Sequence, residues 1–220
     1  MVVLFQNSKN RLVAISDGVF AVVLTIMVLA IKVPTGPLST PAVWLLLQEI
    51  FTYLISFAVV AQYWQYHQEL FDRNANLPTG IYILNNCYLS LICLIPFVTA
   101  WLKDSQTSSY SAIAFAVVIA AVDILQLSMF RRVIRANLKP LQQLSSHDRE
   151  EYRSVKMMVV ISGLYLLVSL TVPHLILLMI AAGLAFRVIT TRFLRQLKQH
   201  PFNWSRYFLL KSGLAIATDN

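Results

Sequence analysis

Two polar residues lie side by side inside the first apolar run of the chain. Ser16 and Asp17 interrupt the run 12–31, in which Asp17 is the single charged residue. A charged side chain at membrane depth costs about 2.5–3.5 kcal/mol on insertion scales and marks a functional position by default. A hydroxyl beside a carboxylate can either relay protons or hold neighbouring helices together through hydrogen bonds. Both uses require partners on other helices.

Candidate partners for this polar pair lie in the second and third apolar runs. Trp64 and His67 are three residues apart on one helical face, and both side chains can donate a hydrogen bond to a carboxylate. Asn85 and Asn86 add amides at apolar depth. We interpret the group of Asp17, Trp64 and His67 as structural, because polar groups commonly hydrogen-bond across membrane helices. A proton relay through the same residues is the alternative.

The other side of the first run carries an apolar stripe with a single hydroxyl. The stripe comprises Val22, Thr25, Ile26 and Leu29. At 100° per residue these four positions fall within about 100° of one another, and Arg11 and Gly18 project onto the same sector. The polar pair points away from them. Taken alone, the stripe is also what an ordinary helix-packing face contains.

The elements that position these residues follow from composition. The chain of 220 residues is 57% hydrophobic and 13% charged, with a mean hydropathy of +0.64. A soluble domain has about 45–50% apolar and about 25% charged residues. This excludes a water-soluble globular domain, a disordered chain and a disulfide scaffold. Cys87 and Cys93 lie inside apolar runs, and we expect them to pack in the core.

We predict an all-α, polytopic membrane protein with six spans. A bilayer core about 30 Å thick needs roughly 20 apolar residues in a helix. The predicted spans are 12–32, 42–66, 79–102, 110–130, 155–171 and 173–191, within a transmembrane domain 1–194 and before a cytoplasmic tail 195–220. The last two spans divide before Pro173, because proline disfavours the helical conformation in the preceding residue. One kinked, re-entrant element is the alternative.

The distribution of charge predicts the orientation. Sixteen of the 18 Lys and Arg residues fall on one side of the six-span topology and two on the other. Because cytoplasmic loops retain positive charge, both termini are expected in the cytoplasm. The net charge of +8 therefore indicates membrane topology, and we expect no nucleic-acid partner. We expect Glu49 to be solvated near the outer interface, and Asp123 to be partnered by Gln126 or by a neighbouring helix.

Three segments carry a family resemblance. The segment 11–25 resembles the first-helix motif R-x-x-x-[F]-S-D-x-x-F-A-x-x-x-T of the transmembrane-protein-175 family of potassium channels and matches it at every specified position except the bracketed one. Two further segments resemble the same family: Trp64-x-x-His67-x-x-x-Phe71, and Asn86-x-x-x-Ser90 through Pro96-Phe97. The resemblance covers the first half of the chain, and the rest is similar in hydropathy alone. One departure is Ile15, where the family usually has an aromatic residue.

The resemblance implies a six-helix subunit whose first helix lines a pore. Family members with a single six-helix unit are prokaryotic homotetramers, so this chain is expected as a multi-pass homotetramer in a prokaryotic plasma membrane. The family's apolar constriction corresponds here to Val22, with further rings at Ile26 and Leu29. The threonine implicated in selectivity corresponds to Thr25. Arg11, Ser16, Asp17, Trp64 and His67 are expected to form a structural polar network.

The function that follows from the resemblance is a potassium-preferring cation channel with a hydrophobic gate. No Gly-Tyr-Gly occurs in the sequence, so ions would be sorted by side chains instead of the carbonyls of a T-V-G-Y-G filter. The expected partners are potassium ions, membrane lipid and other copies of the chain, with no cofactor. A secondary or proton-coupled transporter that uses buried Asp and His is the alternative. We expect no enzyme, because neither H-E-x-x-H nor G-x-S-x-G occurs.

Overall fold

The computed structural model describes residues 9–33, 39–73, 77–78, 80–105, 108–137 and 146–185, and in this part of the chain every regular element is helical. The long helices are α1 (Lys9–Ile26), α2 (Thr40–Arg73), α3 (Ile81–Asp104), α4 (Ser109–Asn137) and α5 (Ser146–Thr171). A 3₁₀ turn, Met27–Ala30, continues α1. A second 3₁₀ turn, Pro173–Leu175, opens a shorter apolar helix, Pro173–Ala185.

Five helices in the described residues are long and apolar enough to cross a membrane. They correspond to the first five predicted spans, and the break at Val172 separates α5 from the shorter apolar helix that begins the sixth. Residues 186–191 of that sixth span, and the predicted tail 195–220, lie outside the described residues. The all-helical, membrane-spanning fold class is therefore as predicted.

The helix bounds differ from the predicted spans in a systematic way. α2 continues past residue 66 to Arg73, and α5 begins at Ser146 instead of residue 155. Hydropathy delimits the apolar part of a helix only, while Glu, Lys and Arg favour the helical conformation and extend it into polar surroundings. α1 differs in the opposite direction, because its α-helical part ends at Ile26 whereas the predicted span continues to residue 32.

The helices form two groups that share α3. α1 packs against α2 and α3, whereas α4 packs against α3 and α5. The core between them is rich in aromatic side chains that are at most 2% exposed: Phe20, Tyr63, Phe71, Tyr88, Phe115 and Phe130. Gly80 precedes α3 as its N-cap, and its φ of 82° is a left-handed conformation that glycine adopts without a Cβ penalty.

Among the described helices, α1 has neighbours on one side only. In its most apolar window 28% of the residues are buried, against 56% in α4. α1 contacts α2 and α3 on one face, and no helix within residues 9–185 that the structure describes covers its other, largely apolar face. The chain divides into two units, Met1–Ala182 and Gly183–Asn220, and all the residues discussed below belong to the first.

Candidate functional site

A buried chain of hydrogen bonds connects α1, α3 and α2. The Ser16 hydroxyl donates to the Leu12 carbonyl at 2.8 Å, and Asn85 Nδ2 donates to Ser16 Oγ at 3.0 Å. Asn85 Oδ1 lies 2.8 Å from His67 Nε2. Because the Asn85 amide nitrogen is used toward Ser16, its oxygen accepts, and the network assigns the His67 proton to Nε2. Ser16, Asn85 and His67 are each at most 1% exposed.

The His67 ring is enclosed by aromatic side chains from three helices. Its centroid lies 5.7 Å from that of Phe20, 4.7 Å from Phe71 and 5.9 Å from Tyr88, the last in a stacked arrangement with an interplanar angle of 13°. Its Nδ1 atom is buried with no hydrogen-bond partner in the described part of the chain. This surrounding fixes the ring in place between α1, α2 and α3.

Asp17 forms a separate pair of hydrogen bonds with α2. Trp64 Nε1 donates to Asp17 Oδ1 at 2.9 Å, and Gln68 Nε2 donates to the same oxygen at 3.1 Å. Trp64 and His67 were the candidate donors to Asp17; Trp64 makes this hydrogen bond, and His67 bonds to Asn85 instead. On α2, Trp64 and Gln68 are four residues apart and face α1, while His67 is rotated toward Asn85 on α3.

Gln68 is a site residue that the sequence analysis missed. Its spacing of four residues from Trp64 is the signal that would have found it, since residues i and i+4 are neighbours on a helix. Arg11, also expected in the network, is exposed and is not among the partners of Asp17 in the described residues.

The apolar stripe of α1 lies on the uncovered side. Val22 is 55% exposed, Ile26 47% and Leu29 80%. Leu29 belongs to the 3₁₀ turn and not to the α-helix on which its position was projected. Thr25 is exposed as well, and its hydroxyl donates to the Val22 carbonyl at 2.8 Å.

Next to the stripe, an apolar groove runs between α1 and α3. Its cavity volume is about 670 Å³, and its lining includes Ile15, Val22 and Ile26 on α1 with Pro96 and Phe97 on α3. Phe97 is 61% exposed, so the groove is open to the outside of the subunit. The stripe and the groove together form one continuous apolar surface.

Charged residues meet where α1, α2 and α3 converge at the end of the 3₁₀ turn. Lys32 Nζ pairs with Asp104 at 2.8 Å, and Lys103 Nζ pairs with Glu49 at 3.0 Å. Glu49 was expected to be solvated, but its side chain is 17% exposed and paired. The candidate membrane span of α1 ends at Ala30, so Lys32 lies outside it. The pKa of Lys32 is raised because Asp104 accepts a hydrogen bond from its side chain.

Two further expectations need correction or completion. Asp123 is fully buried and accepts a hydrogen bond from Tyr63 Oη on α2 at 2.8 Å, so the neighbouring-helix alternative applies. Cys87 and Cys93 are exposed, contrary to the expectation of core packing, and Cys93 lines the groove between α1 and α3.

Comparison with known proteins supplies the family. Residues 11–96 match the family model described as endosomal/lysosomal potassium channel TMEM175. Over these residues the chain is similar to the TMEM175 family. The matched segment contains all the residues of the polar network and of the stripe. The family is one of channels, in agreement with the prediction that the chain is not an enzyme.

Two bacterial proteins to which the chain is similar are named potassium channels. One, from Chryseobacterium sp. (strain P1-3), is 37% identical over 99 residues, which are 45% of this chain and 51% of the relative. Another, from Streptomyces collinus, is 30% identical over 127 residues, which are 53% of this chain and 60% of the relative. The chain thus spans about half to three-fifths of the length of these two relatives.

A solved structure shares the fold. The crystal structure of a lysosomal potassium-selective channel TMEM175 homolog from Chamaesiphon minutus superposes with a TM-score of 0.64 at 24% identity. The match covers 81% of this chain and 97% of that chain. The likeness therefore includes the helices beyond residue 96, where the family model does not match.

Proposed function

We propose that the chain is one subunit of a potassium-preferring cation channel, in which four copies meet around a shared axis and α1 lines the pore. The observation that supports this best is the division of α1 into two faces. Hydrogen bonds from Trp64, Gln68 and Asn85 hold its polar face against α2 and α3. No described helix covers its apolar stripe. A surface that meets other subunits must be left open in this way.

Val22, Ile26 and Leu29 form the conduction path in this proposal. Four copies of each side chain make three stacked apolar rings. A narrow apolar ring removes water from an ion and supplies nothing in its place, and it closes to ions when it dewets. Potassium holds its hydration shell less tightly than sodium, so the rings favour potassium to a moderate degree.

Thr25 adds the one polar group of the pore-facing stripe. Its hydroxyl hydrogen is already donated to the Val22 carbonyl at 2.8 Å. The oxygen therefore presents its remaining lone pairs to the outside of the helix, where it acts as an acceptor. Four such oxygens between the apolar rings can replace part of the water that a potassium ion loses, which supports the assignment of Thr25 to selectivity.

The titratable groups of the polar network support a channel over a transporter. A proton-coupled transporter needs a carboxylate or imidazole that changes partners during its cycle. Asp17 instead accepts two hydrogen bonds from α2, and His67 is held by Asn85 and enclosed by rings. In our proposal these groups position α1 and take no part in transport.

The location is inferred from the same arrangement. Lys9 Nζ donates to the Asp72 carbonyl at 2.8 Å, so the start of α1 and the end of α2 lie on one side of the membrane. The Lys and Arg distribution makes that side the cytoplasmic one. We infer a multi-pass protein of a prokaryotic plasma membrane with both termini in the cytoplasm.

The test is ion flux through purified protein in liposomes and planar bilayers. We expect unitary currents with a permeability to potassium above that to sodium. Val22→Ala and Thr25→Ala should each lower this ratio, while Val160→Ala, an exposed position on α5, should leave it unchanged. A coupled, saturating flux without unitary currents would instead assign the chain to the transporters.

A further inference from the structure

Two charged side chains hold the end of the 3₁₀ turn that carries Leu29. Lys103 Nζ on α3 donates to the Ala30 carbonyl at 2.6 Å and pairs with Glu49 Oε2 at 3.0 Å. The same Glu49 oxygen, on α2, accepts the backbone N–H of Lys32 at 2.6 Å. One ion pair thus connects the Ala30 carbonyl to α3 and the Lys32 N–H to α2.

This ion pair differs from its neighbour in burial. The side chains of Lys103 and Glu49 are 10% and 17% exposed, whereas those of Lys32 and Asp104 are 66% and 45% exposed. Solvated pairs contribute little because water and salt screen them. A charge withdrawn from water persists only where it is paired and hydrogen-bonded, so the Lys103–Glu49 pair has a defined geometry.

The 3₁₀ turn depends on outside support. The last carbonyls of a helix have no partner within the helix, and 3₁₀ hydrogen bonds are weaker than α-helical ones. In the described structure, the Ile31 N–H bonds to the Val28 carbonyl at 3.2 Å, and Lys103 donates to the carbonyl of Ala30, the last residue of the turn. Leu29 is 80% exposed, so its own packing within the subunit does not fix the turn.

We propose that Glu49 and Lys103 form a clamp that positions the Leu29 ring and thereby sets how often the pore is open. They are positioning residues and contact no ion. This inference rests on the proposed pore-lining role of α1. The clamp acts at the 3₁₀ turn and leaves Val22 and Thr25 in the regular part of α1, so it governs opening and not the choice between potassium and sodium.

The test compares clamp variants with a matched control in lipid nanodiscs and bilayers. Lys103→Met and Glu49→Ala should raise amide hydrogen exchange in the peptide 27–33 about tenfold, the loss expected for a charge-assisted hydrogen bond. They should also raise the open probability several-fold, because a loosened ring no longer excludes water steadily, with the permeability ratio unchanged. Lys32→Met removes the neighbouring ion pair but keeps the backbone N–H to Glu49, and should resemble the unaltered protein.

A charge swap separates a clamp on the backbone from a simple ion pair. The double variant Glu49→Lys with Lys103→Glu keeps the pair, but a lysine cannot accept the Lys32 N–H and a glutamate cannot donate to the Ala30 carbonyl. Amide hydrogens in the peptide 27–33 should therefore exchange as fast in the swapped protein as in the single variants. In Lys103→Arg, which retains the donor, these amides should stay protected. If Glu49→Ala does not fold, Glu49→Gln should show a smaller increase in amide exchange in the peptide 27–33 and in open probability.

The outcomes distinguish failure of the clamp from failure of the channel proposal. Rescue by the charge swap, unchanged exchange in Lys103→Met, or faster exchange without a change in open probability each overturns the clamp. Absence of any effect of Val22→Ala and Thr25→Ala on permeability overturns the pore-lining role of α1. The exchange measurement does not depend on conduction, so it tests the contacts of the clamp in either case.

Discussion

In the proposed pore, ion selectivity depends on the hydroxyl group of Thr25. Replacing it by valine keeps the shape and removes the oxygen that the hydrogen bond to Val22 leaves facing outward. We expect Thr25→Val to lower the potassium-to-sodium permeability ratio several-fold, measured from reversal potentials in bilayers. Thr25→Ser retains the oxygen and should stay close to the unaltered ratio. Equal ratios in the valine and serine variants would contradict the role of the hydroxyl.

Asn85 is the residue that connects two helices to α3 within the polar network. Asn85→Leu leaves Ser16 and His67 without their partner, and a buried polar group without a hydrogen bond costs about 1–3 kcal/mol. We expect a melting temperature several degrees lower in detergent. The neighbouring Asn86 is exposed, so Asn86→Leu is the control and should melt like the unaltered protein. A similar loss in both variants would argue against the network.

The sequence predicted some of these contacts and could not predict others. The periodicity of a helix separates Ser16 and Asp17 from the apolar stripe, because that depends on α1 alone. Whether His67 faces Asp17 or Asn85 depends on how α2 is rotated against α1 and α3, which periodicity within one helix does not determine. Gln68 and Lys103 were missed for the same reason, since their roles exist only where helices meet.

The long helices extend beyond the apolar segments that hydropathy detects. α2 has 34 residues, a length of about 51 Å at 1.5 Å per residue, against a hydrocarbon core of about 30 Å. The apolar windows therefore predicted the number and order of the spans, while the polar residues of α2 and α5 that continue as helix lay outside them. Hydropathy could not locate the end of α1 for a different reason. The 3₁₀ turn Met27–Ala30 is as apolar as the α-helix before it, so the change from α-helix to 3₁₀ turn leaves no mark in the hydropathy.

The C-terminal end of α2 should emerge from the membrane on the cytoplasmic side. In a background without Cys87 and Cys93, both exposed and so replaceable by serine, we expect a membrane-impermeant maleimide to label Asp72→Cys from the cytoplasmic side. Leu54→Cys, exposed but mid-helix, should remain unlabelled from either side. Labelling of Asp72→Cys from the outside only would reverse the orientation inferred from Lys and Arg.

In our proposal the whole molecule is a tetramer, which would cover the α1 stripe and the groove beside it that the described helices of one subunit leave open. The groove of about 670 Å³ and the exposed Phe97 give a neighbouring copy an apolar surface to cover. We expect a mass of four chains of 24.9 kDa by native mass spectrometry in mild detergent. Phe97→Glu places a charge in this surface and should shift the mass toward the monomer, while Val160→Glu on α5 should leave it tetrameric. A monomeric unaltered protein would contradict the assembly.

The most direct test of the account is block of potassium current by Cd²⁺ in the Val22→Cys variant, again without Cys87 and Cys93. Four thiols that meet on one axis bind Cd²⁺ and should close the pore, and a chelator should restore the current. The Val160→Cys variant, altered at a position that is also exposed but lies on α5, should conduct in the presence of Cd²⁺. Potassium current through Val22→Cys that is insensitive to Cd²⁺ would contradict a pore lined by α1.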